Sequence, residues 1–251
     1  MAMAKWLHAR VIERIDWNAH LFSLKFTCSE HLTFTAGQFV KIGLEESNGQ
    51  VLSRPYSLVN EPSTKHLEII AVPVAKGSLS PQLQMLNKGD TLKVMSPATG
   101  FLTINEVPAS ENLFMLATGT GVGPFLSIIQ NKDVWQQYLH VVLVYGARKV
   151  EDLAYLPTIQ KLEREYPSQF TFVPITSRET YSKGLHGRIP SLIQQNAIQQ
   201  KCGIQITPEH SQVMLCGNPD MIKDANEVLN ELGLKKHLRR SPGQISVERY
   251  W

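Results

Sequence analysis

The chain has 251 residues, 43% hydrophobic and 19% charged, which excludes a disordered or collagen-like chain and supplies a real core for one large or two ordinary domains. Lys plus Arg number 25 against 22 Asp plus Glu, a formal charge of +3, which gives no ground for nucleic-acid binding, and apolar runs such as 113–117 and 141–145 are far too short to span a bilayer. Lys5, Arg10, Glu13 and Arg14 leave no apolar leader near the start, and three cysteines (Cys28, Cys202, Cys216) without a C-x-x-C pair predict neither disulfides nor a metal site, so a cytoplasmic protein is expected.

From Leu7 to about Leu102 the apolar residues alternate. Phe22, Leu24, Phe26 and Cys28 share one face and Ser23, Lys25 and Thr27 the other; Val40, Ile42 and Leu44 repeat the pattern, as do Leu92 and Val94. Period two predicts half-buried strands. Ala36-Gly37, Ser47-Asn48-Gly49, Lys88-Gly89-Asp90 and Thr99-Gly100 mark the turns between them. Short strands with one brief helix near Ser80–Leu86 predict a small antiparallel β-barrel.

Polar residues and Pro108 near Asn105–Glu111 end that pattern, so the expected domains are residues 1–105 and 106–251. Beyond the break, apolar runs over 113–117, 139–145, 170–175 and 213–216 read as strands buried on both faces. Helical stripes lie between and after them: Leu156, Ile159 and Leu162 within Leu153–Leu162, then Ile222, Ala225, Val228, Leu229 and Leu232 within Met221–Leu232. Strand and helix in alternation predict right-handed βαβ units and a parallel, Rossmann-like α/β sheet.

Five groups of residues carry candidate chemistry. Thr118-Gly119-Thr120-Gly121-Val122-Gly123-Pro124 follows a buried strand and opens a helix over 125–130. Glycines there let backbone approach a pyrophosphate, and the helix offers its free N–H groups. The spacing is not G-x-G-x-x-G, and a tight turn without ligand uses the same residues. Arg54-Pro55-Tyr56-Ser57 offers a guanidinium fork, a flat ring and a hydroxyl, or is an ordinary edge strand with a proline. Cys216-Gly217-Asn218-Pro219 ends the last buried strand, where open α/β sheets bind ligands, although a cysteine there also serves as a small hydrophobe. Ser177, Arg178 and Arg188 suit a monoester phosphate such as that of 2′-phosphorylated adenosine, or are solvated surface groups. Tyr250-Trp251 at the terminus need a partner surface, behind a basic cluster, Lys235-Lys236-His237-Leu238-Arg239-Arg240, that reads as a solvated helix end or as a steering patch for an acidic partner.

Taken in order, these motifs resemble the ferredoxin–NADP(+) reductase family, and its bacterial flavodoxin/ferredoxin reductases in particular. Phe34–Phe39, Leu79-Ser80-Pro81, Met115–Gly121, Ser177–Thr180, Gly187–Pro190, Met214–Pro219 and the ending through Tyr250-Trp251 carry the resemblance along nearly the whole chain. It implies a first domain that binds FAD and a second that binds NADP. Arg54, Pro55, Tyr56 and Ser57 match the flavin motif, with Arg54 at the pyrophosphate, Tyr56 against the isoalloxazine and Ser57 near its N5. Ile70, Ala71, Val72 and Pro73, and Ser78, Leu79 and Ser80, match the stretches that hold the rest of FAD; Thr120 matches the flavin–nicotinamide edge. Ala147, Arg148, Ser177, Arg178 and Arg188 match NADP-binding positions, the last three near the 2′-phosphate. Tyr250 matches the aromatic covering the flavin and Trp251 a group near its adenine. Ser57, Cys216, Glu248 and Tyr250 are the implied catalytic set. Residue 55 is Pro where close relatives often carry Ala, and the aliphatic 70–72 stretch stands where an aromatic ring is common.

The implied activity is electron transfer between NADPH and ferredoxin or flavodoxin, by an enzyme expected to be monomeric with no membrane or nucleic-acid partner. Two alternatives stay open: a stand-alone reductase component of an oxygenase, and a non-catalytic flavoprotein sensor with the same fold. A fused 2Fe–2S domain is excluded, because such clusters take about four cysteines.

Overall fold

The computed structural model describes residues 4–249. Tyr250 and Trp251, the expected aromatic lid, lie outside the described residues. The first half contains β1 (Lys5–Asp16), β2 (Phe22–Cys28), β3 (Phe39–Glu45), β4 (Val51–Ser57), β5 (Leu67–Ala71), α1 (Ser80–Met85) and β6 (Thr91–Ser96). Its strands form one antiparallel sheet in the order β4-β3-β6-β1-β2-β5. The sheet curls until its two edges approach, where Val59 N donates to Glu68 O (2.9 Å). The alternation in the sequence explains the closure. Leu7, Ala9, Val11, Phe22, Leu24, Phe26, Val40, Ile42, Leu92 and Val94 all point into one core, and a slip of one residue would turn each strand's set outward.

The second half contains β7 (Asn112–Thr118), α2 (Gly123–Gln130), α3 (Lys132–Gln137), β8 (His140–Ala147), α4 (Leu156–Glu165), β9 (Phe170–Thr176), β10 (Leu185–His186), α5 (Ile189–Gln194), α6 (Ala197–Cys202), β11 (Ser211–Gly217), α7 (Pro219–Glu231) and β12 (Ile245–Arg249). Every pairing is parallel, in the order β10-β9-β8-β7-β11-β12. Strand order reverses at β7. The carboxyl ends of β7 and β11 therefore flank a crevice, the place where open α/β sheets bind ligands. Helix α7 starts cleanly: the Asn218 side chain accepts from Asp220 N (2.8 Å) and Met221 N (3.2 Å), and Pro219 occupies the first turn, where its missing N–H costs nothing.

Three details differ from the sequence pattern. Helix α4 begins at Leu156, not Leu153, because Tyr155 takes a left-handed conformation (φ 62°) at its N-cap. The basic cluster 235–240 is not a helix end. Helix α7 stops at Glu231 and the cluster lies in a loop tied by the bridges Lys236–Ile245 and Leu238–Ser241. Ser23, on the polar face of β2, is fully buried, because the second half packs over that face.

That packing is continuous. Leu21, Ala36, Val59 and Ile70 of the first half share one core cluster with Met115, Val122, Phe125 and Leu126 of the second. Ser127 Oγ donates to Asn60 O (2.7 Å) and Gln130 Nε2 to Val59 O (2.9 Å), so α2 is bonded to the segment that leaves β4. Among the described residues no helix is long and apolar enough to cross a membrane.

Candidate active site

The crevice between β7 and β11 is made of backbone. After Thr118 the chain turns through Gly119 (φ +55°) into a short 3-10 stretch, Gly119–Val122, that runs on into α2. A Cβ on Gly121 would lie 2.6 Å from the Cys216 carbonyl oxygen, and one on Gly217 (φ +131°) would lie 2.4 Å from Thr118 Oγ1. Neither position has room for a side chain. Asn218 N donates to Thr118 Oγ1 (2.9 Å) and locks the two turns together. What remains is a side-chain-free cradle at a helix N-terminus, the geometry that receives phosphate or a flat ring edge.

The cradle sits directly on the first half. A Cβ placed on Gly123 would lie 3.5 Å from Ile70 Cγ2 and 3.7 Å from Ser57 Cβ. Strand β4, which carries Arg54 to Ser57, is an edge strand, so Pro55 withholds no ladder donor that a neighbour needs. Arg54 is exposed and Tyr56 half-buried; burial pushes the Tyr56 hydroxyl up to about 12. Ser57 is 5% exposed.

Ser57 Oγ donates to Glu248 Oε1 (3.3 Å). Glu248 lies on β12, in register with Cys216 of β11, which in turn faces Ala117 of β7. Three parallel strands thus bring Ala117, the fully buried Cys216 and the half-buried Glu248 side by side at the sheet's carboxyl edge, opposite Ser57. Burial raises the Glu248 carboxyl to about 7, and the Ser57 hydroxyl partly opposes the rise. A cleft of about 730 Å³ opens beside it, lined by Phe39, Gly100, Phe101, Leu238, Arg239 and Glu248, among others.

The remaining expected residues fall into two sets. Ile70, Ala71 and Leu79 are buried in the core. Val72 and Pro73 are half-buried and Ser78 exposed. Ser80 is buried and its Oγ accepts from Val74 N (2.9 Å), which pins the loop between β5 and α1. The second set lies at the far side of the sheet's carboxyl edge. Ser177 N donates to Ala147 O (3.1 Å) and Arg178 N to Arg148 O (2.9 Å), so the loops after β8 and β9 run side by side. Arg188 opens α5 just after β10. Arg148, Ser177, Arg178 and Arg188 are all exposed, as a docking site for a charged phosphate requires. Thr120 sits half-buried in the glycine turn, between these two sets.

Sequence reasoning missed the polar residues that join the halves: Asn18, Ser23, Asn60, Glu68 and Tyr155. One signal was present. Glu68 interrupts the apolar strand Leu-Glu-Ile-Ile-Ala, and an acid inside such a run is kept only where it finds partners.

An antiparallel barrel docked through an apolar seam onto the switch point of a parallel sheet defines a two-domain dinucleotide oxidoreductase. Residues 8–102 match the oxidoreductase FAD-binding domain family and residues 115–227 the oxidoreductase NAD-binding domain family. Over 250 residues the chain is 44% identical to the flavodoxin/ferredoxin–NADP reductase of Escherichia coli, covering 99% of this chain and 100% of that one. It is 36% identical to the ferredoxin–NADP reductase of Azotobacter vinelandii, covering 96% and 95%. A crystal structure of a ferredoxin NADP+ reductase from Neisseria gonorrhoeae with bound FAD and NADP superposes with a TM-score of 0.93 at 33% identity, over 98% of this chain and 99% of that one. The chain belongs to the ferredoxin–NADP reductase family, in its bacterial flavodoxin/ferredoxin reductase subgroup, and is an oxidoreductase with an FAD-binding and an NADP-binding half.

Proposed function

We propose that this enzyme moves electrons between NADPH and a ferredoxin or flavodoxin, through FAD held in the first half. The observation that carries the reading is the seam itself: a flavin-type motif on β4 lies against the side-chain-free cradle of the dinucleotide-binding sheet, within van der Waals reach at Gly123. Bound there, FAD would supply the chemistry, acceptance of a hydride from NADPH and release of electrons one at a time.

The chain's residues do the rest. Arg54 would hold the FAD pyrophosphate through its planar fork, with the backbone of Ser78–Ser80 at the same group. Tyr56 would offer its ring to the isoalloxazine, and the backbone of 70–73 would border the rest of FAD. Ser57, whose hydroxyl donates to Glu248, would stand near the flavin N5. Gly119, with open space where a Cβ would stand, leaves the nicotinamide room beside Thr120, while Gly121 and Gly217 let the turns after β7 and β11 close on one another next to Cys216. Arg148, Ser177, Arg178 and Arg188 grip the adenosine end, the last three at the 2′-phosphate, beside Ala147. Glu248, held by Ser57, keeps a proton near the reacting edge at pH below about 7.

The acceptor is an acidic redox protein. Phe101 and Leu238 are 66% and 52% exposed at the mouth of the cleft that reaches Glu248. Arg239 lies over the Phe101 ring (4.3 Å) and pairs with Glu106 (3.2 Å). Lys235, Lys236 and Arg240 are exposed around this patch. An apolar centre within a basic rim suits a partner with acids around an exposed redox centre. The enzyme works as a cytoplasmic monomer in this reading.

The test is direct. The purified protein is expected to be yellow, to release FAD on denaturation and to reduce ferricyanide with NADPH; protein that stays colourless with added FAD contradicts the reading.

A further inference from the structure

The catalytic geometry leaves one built feature unused. Residues 149–155, between β8 and α4, are bonded on both sides. On the sheet side, Tyr145 Oη donates to Asp152 O (3.2 Å) and Val150 N to Glu179 Oε1 (2.6 Å), and within the segment Lys149 N donates to Asp152 Oδ2 (3.1 Å). Arg148 precedes this segment and Glu179 follows Arg178, so it is continuous with the loops of the phosphate set. On the barrel side, Asn18 Nδ2 donates to Glu151 O and Asp152 Oδ1 (both 3.0 Å), and Asn18 Oδ1 accepts from His20 N (3.0 Å) and Leu21 N (2.9 Å). At its end a chain of hydrogen bonds crosses the seam. Trp17 Nε1 donates to Ser23 Oγ (2.9 Å), Ser23 Oγ bonds Tyr155 Oη (2.6 Å), and Tyr155 Oη donates to Glu68 Oε1 (2.6 Å).

Three facts mark this as more than packing. Tyr155 holds a left-handed backbone (φ 62°, ψ 19°), which costs a non-glycine residue of order 1 kcal/mol and persists only where surroundings over-determine it. Its hydroxyl and the Glu68 carboxyl are both buried, and a buried chain of this kind is stable only when every member is satisfied. Glu68 then sets the strand next to Ser57: Glu68 N donates to Asn60 Oδ1 (2.7 Å) and Glu68 O accepts from Val59 N. Hydrogen bonds joined by short stretches of chain thus lead from Arg148 and Arg178 to Val59 and Asn60, just beyond Ser57.

We infer that residues 149–155 form an interdomain brace, in which Asn18 and Tyr155 are positioning residues that fix where the nicotinamide falls against the flavin once the 2′-phosphate is gripped. The inference rests on the FAD and NADPH reading above. Its consequence is a split between binding and chemistry: loosening the brace leaves the adenosine end bound and misplaces the reacting ring, and misplacement by about 1 Å costs up to about a hundredfold in rate.

The experiment compares FAD-loaded wild type with Asn18→Asp, Tyr155→Phe and the double variant Asn18→Asp/Asp152→Asn. Asn18→Asp keeps the oxygen that caps the turn at His20 and Leu21 but turns the cross-seam donor into a carboxylate facing Asp152; the double variant reverses the pair. Three quantities are read: flavin reduction at saturating NADPH, affinity for adenosine 2′,5′-bisphosphate, and amide hydrogen exchange over 17–23 and 149–155 with and without that bisphosphate. Asn18→Asp is expected to slow reduction by about tenfold with unchanged bisphosphate affinity. It should also abolish the slowing of exchange in 17–23 that the bisphosphate causes in wild type, and the double variant should recover both in part, because it restores a donor–acceptor pair between positions 18 and 152 and leaves the Glu151 carbonyl facing an oxygen. Tyr155→Phe should behave like Asn18→Asp; if it does not fold, the surface variant decides. Wild-type reduction rates in Asn18→Asp, or rate and affinity falling together, overturn the brace. Wild type that neither binds the bisphosphate nor is reduced by NADPH overturns the cofactor reading, and the brace falls with it.

Discussion

Ser57 and Glu248 stand 191 residues apart in the chain, yet the Ser57 hydroxyl donates to Glu248 Oε1 across 3.3 Å. One side chain comes from the barrel's edge strand and the other from the outermost strand of the parallel sheet. The pair exists only when the two halves are docked. It places an acid with an unusual proton affinity beside the hydroxyl assigned to the flavin N5 edge.

The first prediction concerns that acid. The folded value of about 7 lies above the ordinary carboxyl value of 4.5, so Glu248 is neutral at pH 6 and ionised at pH 8. Its contribution to stability is complete below about 4.5 and is lost as pH rises through about 7. Glu248→Gln should flatten the fall in melting temperature across that window. It should also remove a limb near pH 7 from the rate profile of NADPH-driven ferricyanide reduction. A profile identical to wild type would remove Glu248 from the proton path.

A second prediction addresses the coenzyme's phosphate. If Arg178 and Arg188 hold the 2′-phosphate as proposed, reversing both to Glu removes two charge-assisted contacts, each of about 1.5–3 kcal/mol. KM for NADPH should rise by about a hundredfold or more, while KM for NADH changes little. Steady-state kinetics with both coenzymes checks this; an unaltered NADPH-over-NADH ratio would strip both arginines of the role.

The cradle itself is testable through one methyl group. Gly217→Ala puts a Cβ 2.4 Å from Thr118 Oγ1 at a backbone φ of +131°. Overpacking and left-handed strain together predict a loss of about 2–4 kcal/mol, read as a drop in melting temperature, and a larger loss of nicotinamide-coenzyme binding. Gly49→Ala is the control. It also has positive φ (+79°), but nothing lies within 4 Å, so it should cost only its backbone strain and leave coenzyme affinity intact.

Partner docking separates from flavin chemistry by acceptor size. Replacing Lys235, Lys236 and Arg240 with Ser should lower kcat/KM for an acidic ferredoxin and weaken its salt dependence, with ferricyanide turnover unchanged. A parallel fall with both acceptors would show that the cluster supports the fold instead.

Much of this arrangement was legible in the chain. Strands β7, β8, β9 and β11 are buried on both faces, so their sequences are continuous apolar runs, and the barrel strands alternate because one face meets the core. Strand β12 escaped notice because Ile-Ser-Val-Glu-Arg reads as an ordinary polar segment; only its pairing with β11 makes it a strand, and only that pairing puts Glu248 beside Cys216. The two-residue β10 and the short α3, α5 and α6 carry too few residues for a period to show. The seam was hidden for a different reason. Ser23 sits on the face that alternation assigns to solvent, and no local pattern announces that the loop leading into α4 will cover it with Tyr155.

The central claim is that two redox rings meet at the seam beside Ser57 and Glu248. Rapid anaerobic mixing of the FAD-loaded protein with NADPH, followed by mixing with oxidised ferredoxin or flavodoxin, measures it in one pass. The account predicts bleaching of the flavin's visible absorbance on the first mixing, through a transient nicotinamide–flavin charge-transfer band. On the second mixing the colour should return in one-electron steps as the acceptor is reduced. A flavin that binds but keeps its full absorbance in the presence of NADPH would contradict it.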